Sequence, residues 1–179
     1  IDFLCHAQIT PERQKNYLFS KNSIGYEHNI VYAPLNSNYY YNDYQMFNGM
    51  NIAFLAGSSQ NDQFLEWSKM HNFFYTSNLY PTEEAAFDAL NNDSVDAVVM
   101  GSLSNQKGYK IIGKFDYEPF YFMTSKQNKE LLIALDNAIT NIKISNPSFE
   151  FLLHKKYYEN SYINKDPLFT RQEAEYIKT

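Results

Sequence analysis

Arg13 is the side chain in this sequence best suited to hold an anion. It follows Thr10-Pro11-Glu12, where Thr10 suits a helix cap, Pro11 fits a first helical position that needs no N–H, and Glu12 favours the positive helix start. A guanidinium projecting from such a turn at a cleft edge grips a carboxylate with two parallel hydrogen bonds, which a lysine cannot reproduce. The same residue is also compatible with a solvated or structurally paired arginine. Gly57-Ser58-Ser59 is the second candidate. Small residues just before a helix offer N–H groups and hydroxyls to an anionic or polar ligand, and the same serines serve equally well as helix caps.

Other chemistries find little support. His6, His28, His71 and His154 are too scattered to show metal-ligand spacing, and the single Cys5 has no partner for a disulfide or a metal. In an apolar strand Cys5 reads as an inert small hydrophobe, and its neighbour His6 points to the opposite face, so the two do not cooperate. No nucleophile elbow, phosphate-binding Gly-Lys-Ser/Thr loop or His-Glu-x-x-His run occurs. Asp96 reads as a solvated or turn-bonded strand residue rather than a ligand. The expectation is a protein that is not an enzyme and carries no metal or cofactor.

Alternating elements must position these residues. After the Thr10 turn, Tyr26 to Ala33 reads as a strand ended by Pro34, and the polar run Asn36 to Asp43 as a surface connection. Met50 to Leu55 is a strand leading through Gly57-Ser58-Ser59 into an amphipathic helix over 60–71. Phe73 to Ser77 suits a strand, Tyr80 to Leu90 a helix with an alanine-rich packing face, and Val95 to Met100 a strand covered on both sides. Phe120 to Thr124 is a further strand. Asn128 to Ile144 is a helix whose Leu131, Leu132, Leu135, Ile139 and Ile142 share a side, and another helix runs from Asn146-Pro147 to about Tyr158. The segment 160–169 resembles a linker, and Thr170-Arg171-Gln172-Glu173 is a capping box. Such alternation predicts an α/β protein with a mostly parallel sheet over about 27–115.

With 179 residues, 44% hydrophobic and 17% aromatic, the chain is long and apolar enough to bury a core. A net charge of −5 lacks the basic footprint of a nucleic-acid binder. No apolar run is long enough to span a membrane, so any anchoring segment is expected outside this stretch. Tyr39-Tyr40-Tyr41 with Tyr44 suits either a protein contact or an aromatic cover over the fold.

Taken in order, these motifs resemble the type II periplasmic solute-binding proteins, in particular the amino-acid-binding type of extracellular solute-binding family 3. Ile9-Thr10-Pro11-Glu12-Arg13 followed by Phe19-Ser20 is similar to its Thr-x-Glu-Arg…Phe-Ser element. Asn48-Gly49 is similar to its Leu-x-Gly-Lys approach, and Gly57-Ser58-Ser59 to its Gly-Thr/Ser loop. Glu84 to Leu90, Val95 to Val99, the helix from Lys126 and Lys155-Lys156-Tyr157-Tyr158 complete the series. The resemblance implies a type II periplasmic-binding-protein-like fold with one complete lobe at 27–119, a partial lobe at 1–26 plus 120–159, and a linker with the start of a C-terminal helix at 160–179. It also implies that the first elements of lobe one lie outside this chain, and that a solute is enclosed between the lobes. Association of two copies through the unfilled lobe edge is expected on the same ground.

The implied ligand residues are Arg13, Gln8, Gly57, Ser58, Ser59 and Gly101. Two of them depart from the family's pattern. Gln8 stands where a small hydroxyl residue is usual, and Gly101 stands near the place of the aspartate that meets the ligand's ammonium group. A buried ammonium without a countercharge is costly, so the expected solute bears a carboxylate and is not an ordinary α-amino acid unless another residue supplies that charge.

The runs Phe115 to Phe122, Ile144 to Glu150 and Phe169 to Ile177 further resemble extracytoplasmic sensor regions of bacterial signalling proteins of the diguanylate cyclase or sensor kinase type. The leading expectation is therefore a non-catalytic, extracytoplasmic sensor module, membrane-tethered through other segments. The alternatives are the substrate-binding component of an ABC importer for amino acids or related carboxylates, and a degenerate lobe that serves as a protein-interaction module.

Overall fold

A computed structural model describes residues 3–104, 106–159 and 168–177, with the backbone alone at 158–159. The chain order is β1 (Leu4–Ala7), α1 (Pro11–Asn16), β2 (Tyr17–Phe19), β3 (Gly25–Pro34), β4 (Met50–Leu55), α2 (Gln60–His71), β5 (Tyr75–Tyr80), α3 (Glu83–Asn91), β6 (Ala97–Gly101), β7 (Tyr109–Ser125), α4 (Lys129–Ser145), α5 (Phe149–His154) and α6 (Arg171–Ile177). Two compact units form: unit 1 from Ile1–Glu27 and Tyr117–Tyr162, and unit 2 from His28–Asp116 and Ile163–Thr179.

Unit 2 is an open sheet in the order β7-β3-β6-β4-β5. β4 runs parallel to both β5 and β6, while β3 is antiparallel to β6. The inner strands β3, β4 and β6 carry runs of buried apolar residues because both faces are covered there, and successive side chains feed opposite cores, whereas β5 is largely exposed. Val31, Ala33, Ile52, Phe54, Ala97 and Val99 join Phe47, Phe64, Trp67, Phe73, Ile112 and Phe115 on one face. Ile30, Tyr32, Ala53, Val98 and Met100 join Ala86, Phe87, Ala89 and Leu90 on the other. The helix α2 ends where Asn72 takes φ 57°, and its follower Phe73 returns a hydrogen bond to the Ser68 carbonyl at 3.1 Å. Phe73 therefore closes the helix, and β5 starts two residues later, at Tyr75, than the sequence suggests. β7 is a single 17-residue strand passing through Gly113 and Pro119, where the sequence predicts a strand only over 120–124. At Gly113 a Cβ would meet Trp67 Cη2 at 2.9 Å and Val31 Cγ2 at 3.1 Å, so the close approach requires glycine.

Asp96 precedes β6 in a bend and not in a strand; its Oδ2 accepts from the Asn51 N–H at 2.8 Å and its Oδ1 from the Tyr39 hydroxyl at 3.4 Å. Burial and the Asp96 carboxylate together raise the Tyr39 hydroxyl above its ordinary pKa. Tyr39 and Tyr44 pack on the core cluster, so the tyrosine run covers unit 2. The capping box forms as the sequence predicts, with Glu173 accepting from Thr170 N at 2.9 Å and Thr170 Oγ1 at 2.7 Å. Within unit 2, Tyr41 N donates to the Phe169 carbonyl at 3.2 Å, and Arg171 Nε pairs with Asp43 Oδ2 at 2.8 Å. The linker expected over 160–169 falls mostly on 160–167, outside the described residues.

In unit 1, β1 and β2 both pair antiparallel with the C-terminal half of β7. The helix α4 is fixed by polar contacts with the turn after β2. Asp136, 8% exposed, accepts from the Lys21 N–H at 2.7 Å; Thr140 accepts from Asn22 at 2.9 Å; and Lys143 reaches the Ser23 carbonyl at 2.8 Å. Among the described residues, Ala7 and Leu132 are the buried apolar side chains of unit 1. The apolar face expected on α4 is corrected accordingly: Leu131 and Ile142 are exposed, and Asp136 takes a buried position. Cys5 is exposed too, contrary to the expected inert burial. The β1–β7 register is irregular between Leu4 and Ala7, where His6 adopts φ 64°, so strict alternation fails there.

Candidate functional site

The carboxyl ends of β4 and β6 lie side by side, as their parallel register Ile52↔Ala97 and Ala53↔Val98 dictates. In open α/β sheets this edge is where ligands bind. Gly57-Ser58-Ser59 follows β4 there, with Gly57 at φ 78° turning the chain into α2. The four first N–H groups of this 12-residue helix have no partner within it, and Ser59, at the N-cap, makes no side-chain cap bond. The N–H of Ser58 closes the turn on the Leu55 carbonyl at 3.2 Å, but its Oγ is buried without a hydrogen-bond partner. Capping by Ser59 therefore does not explain this loop. Asp62 occupies the helix's first turn and is exposed.

Gly101 ends β6 and lies opposite Asn29 of β3. Asn29 is 2% exposed, and its Nδ2 donates to Gln63 Oε1 at 2.7 Å, which ties β3 to the first turns of α2. Next to Gly101, buried Ser102 accepts from the His28 N–H at 3.0 Å through its Oγ. His28 Nδ1 bonds the Asp116 carbonyl at 2.7 Å, and since a carbonyl only accepts, that nitrogen carries the proton. Desolvation raises the Asp116 carboxyl above its ordinary pKa. The internal bonds of Asn29, Gln63 and Ser102 escaped the sequence reading. The one available signal was Asn29 itself, a polar residue heading the apolar run Ile30 to Ala33.

In unit 1, Thr10 caps α1 by accepting from the Arg13 N–H at 3.2 Å, as its sequence predicts. Arg13 is exposed, makes no ion pair among the described residues, and donates from Nη1 to the Gln8 carbonyl at 3.1 Å. The structure thus brings Arg13 and Gln8 together in unit 1, and places Gly57, Ser58, Ser59 and Gly101 on one sheet edge of unit 2. Among the described residues no group of three or more His, Cys, Asp or Glu side chains could hold a metal ion. No helix among them is long and apolar enough to cross a membrane.

No protein-family model and no curated protein matches the chain. Solved structures do. The probable amino-acid ABC transporter extracellular-binding protein ytmK of Bacillus subtilis superposes with a TM-score of 0.76 at 16% identity, over 90% of this chain and 73% of that one. An ancestral amino acid-binding protein, a precursor of cyclohexadienyl dehydratase, gives 0.67 at 19% over 88% and 68%. A mutant of ArgBP from T. maritima gives 0.64 at 20% over 89% and 69%. The fold is that of the type II periplasmic binding proteins.

Proposed function

We propose that this chain is a non-catalytic small-solute-binding module acting outside the cytoplasm. Arg13 in unit 1 is assigned the grip on a carboxylate, with Gln8 beside it. In unit 2, taken by itself, Ser58, Ser59 and the N–H groups opening α2 are assigned contacts with polar ligand atoms, and Gly101 leaves the adjoining strand end without a carboxylate. The observation that carries this reading is the buried, unpartnered Ser58 Oγ at the carboxyl edge of a type II sheet, because a buried hydroxyl without a partner is unfavourable until something fills it. Structural neighbours include proteins bound to L-arginine and to arginine. For this chain the lack of a carboxylate at Gly101 favours carboxylate-bearing solutes other than α-amino acids.

The setting we favour is the sensor region of a membrane signalling protein, supported by the capped helix α6 that follows the binding module. The printed names of several neighbours favour the second reading, the solute-binding component of an ABC importer. A parent gene encoding a membrane span and an output domain decides for the sensor, and an adjoining permease and ATPase gene pair for the importer. Thermal-shift and calorimetric titration with carboxylates, amino acids and peptides tests binding itself. Stabilisation by a carboxylate is the expected result; silence across a broad library favours a protein-interaction module.

A further inference from the structure

We infer that unit 2 carries a second binding site at the opposite end of its sheet, a cavity suited to a primary alkylammonium group. The site stands on its own observations and does not depend on the solute-binding reading above. The antiparallel register from Asn29↔Gly101 to Tyr32↔Val98 puts the end of β3 beside the start of β6, away from Gly101 and the carboxyl edge. There Pro34, Ser37, Tyr39, Asp93, Val95 and Asp96 line a cavity of about 380 Å³, whose lining holds two carboxylates and, among the described residues, no cationic side chain. Neither Asp93 nor Asp96 makes an ion pair among the described residues. Asp93 follows the C-terminus of α3 at φ 60°, with its N–H on the Leu90 carbonyl at 3.3 Å. A helix C-terminus carries partial negative charge, and α3 has no basic residue in its last turn, so Asp93 adds a carboxylate where a cation is favoured.

Asp96 takes its hydrogen bonds from the neutral groups of Asn51 and Tyr39, which leave its charge unbalanced. Ser37 lines the same cavity, and its Oγ is buried without a hydrogen-bond partner. Buried hydroxyls are normally bonded, and a turn about χ1 is enough to bring this one to a donor in the cavity. Lys110 is engaged elsewhere: its ammonium donates to the Ser37 carbonyl at 3.3 Å and lies 5.3 Å from the Tyr40 ring centroid. A primary ammonium presents three donors and no acceptor, which the two carboxylates and the Ser37 hydroxyl can receive. The carboxylates offset its desolvation, while Pro34, Val95 and the Tyr39 ring offer apolar contact to a methylene stem. A cavity of this size suits a small organic ligand, whereas a divalent ion such as calcium asks for about six to eight oxygen ligands.

Nuclear magnetic resonance titration of the complete chain with n-butylammonium tests this, with n-butanol as the neutral isostere, tetramethylammonium as a cation that donates no hydrogen bond, and calcium as the metal. Saturable shifts are expected from n-butylammonium at the amides of residues 35–39 and 93–96, with affinity about tenfold weaker in Asp93→Asn, since a hydrogen bond to a charged group is lost. Asparagine tolerates the φ of Asp93, so that variant keeps the fold. Ser37→Ala is expected to weaken binding severalfold. Nα-acetyl-L-lysine amide separates two sources of the ammonium: tighter binding than n-butylammonium assigns the cavity to a lysine side chain of a protein partner, and weaker binding to a free amine. Silence with n-butylammonium, equal shifts with n-butanol or tetramethylammonium, tighter binding of calcium, or unchanged affinity in Asp93→Asn overturns the site.

Discussion

Arg171 Nε donates to Asp43 Oδ2 at 2.8 Å, joining residues 128 positions apart, and the same guanidinium lies 5.7 Å from the centroid of the Tyr40 ring. Asp43 is 15% exposed at the side chain and Arg171 half exposed. The pair thus belongs to the class whose worth is modest, about 0–1 kcal/mol, with a cation–π contact adding about 0.5–1 kcal/mol. Arg171→Ala is expected to speed amide exchange in α6 severalfold while leaving the denaturant midpoint of unit 2 nearly unchanged. A large drop in that midpoint would show α6 to be part of the core.

The same helix has a pH dependence whose sign follows from Glu173. Hydrogen bonds from Thr170 hold its carboxyl below the ordinary value. A lowered pKa in the folded state gives stability that is complete above the unfolded value and is lost as pH falls through the folded one. Protection of α6 is expected to hold from neutral pH down to the ordinary carboxylate range and to decline as the pH falls below that range, and Glu173→Gln is expected to flatten the profile. Hydrogen exchange across that range is the measurement.

Gly113→Ala is expected to destabilise unit 2 by about 1–3 kcal/mol, because the added methyl enters the space of Trp67 and Val31 in a packed core. A thermal melt checks it. Alanine at Gly108, where φ is 87° and nothing lies within 4 Å of the added carbon, tests backbone strain without crowding.

Ser58→Ala removes a buried hydroxyl that has no partner in the unliganded chain. Melting of the unliganded protein is expected to be unchanged or slightly raised, while affinity for the bound solute falls by roughly one hydrogen bond, about 0.5–1.5 kcal/mol. Lower stability without a change in affinity would make the hydroxyl structural.

Arg13→Ala is expected to abolish carboxylate binding with little loss of fold. The side chain is exposed, and its described side-chain bond is the one to the Gln8 carbonyl. Circular dichroism beside calorimetry separates the two effects, and unchanged affinity would remove Arg13 from the site.

Much of unit 2 was legible because its punctuation is local. Gly57 and the small residues around it separate β4 from α2, and Thr82 marks the start of α3 by accepting from the Ala85 N–H at 3.1 Å. Phe73 was misread as strand because its burial comes from sealing the helix end. Pro119 and Gly113 look like breakers, yet β7 runs through both, since pairing with distant strands overrides local preference. In unit 1 the decisive contact is Asp136 with the Lys21 amide, 115 residues apart, which no periodicity reveals. For the site, the motif-bearing loops were readable. The Asn29–Gln63 pair was not, because its meaning arises only when a strand and a helix meet.

Trp67 is the chain's single tryptophan, and it is buried against Phe115 with ring centroids 4.9 Å apart. Its fluorescence is accordingly a private signal of unit 2. A denaturation curve followed by emission reads the melting of the doubly covered sheet, whereas far-ultraviolet dichroism also senses α4 and α5. Curves that fail to superimpose would reveal that the two units come apart in separate steps, without any engineered label.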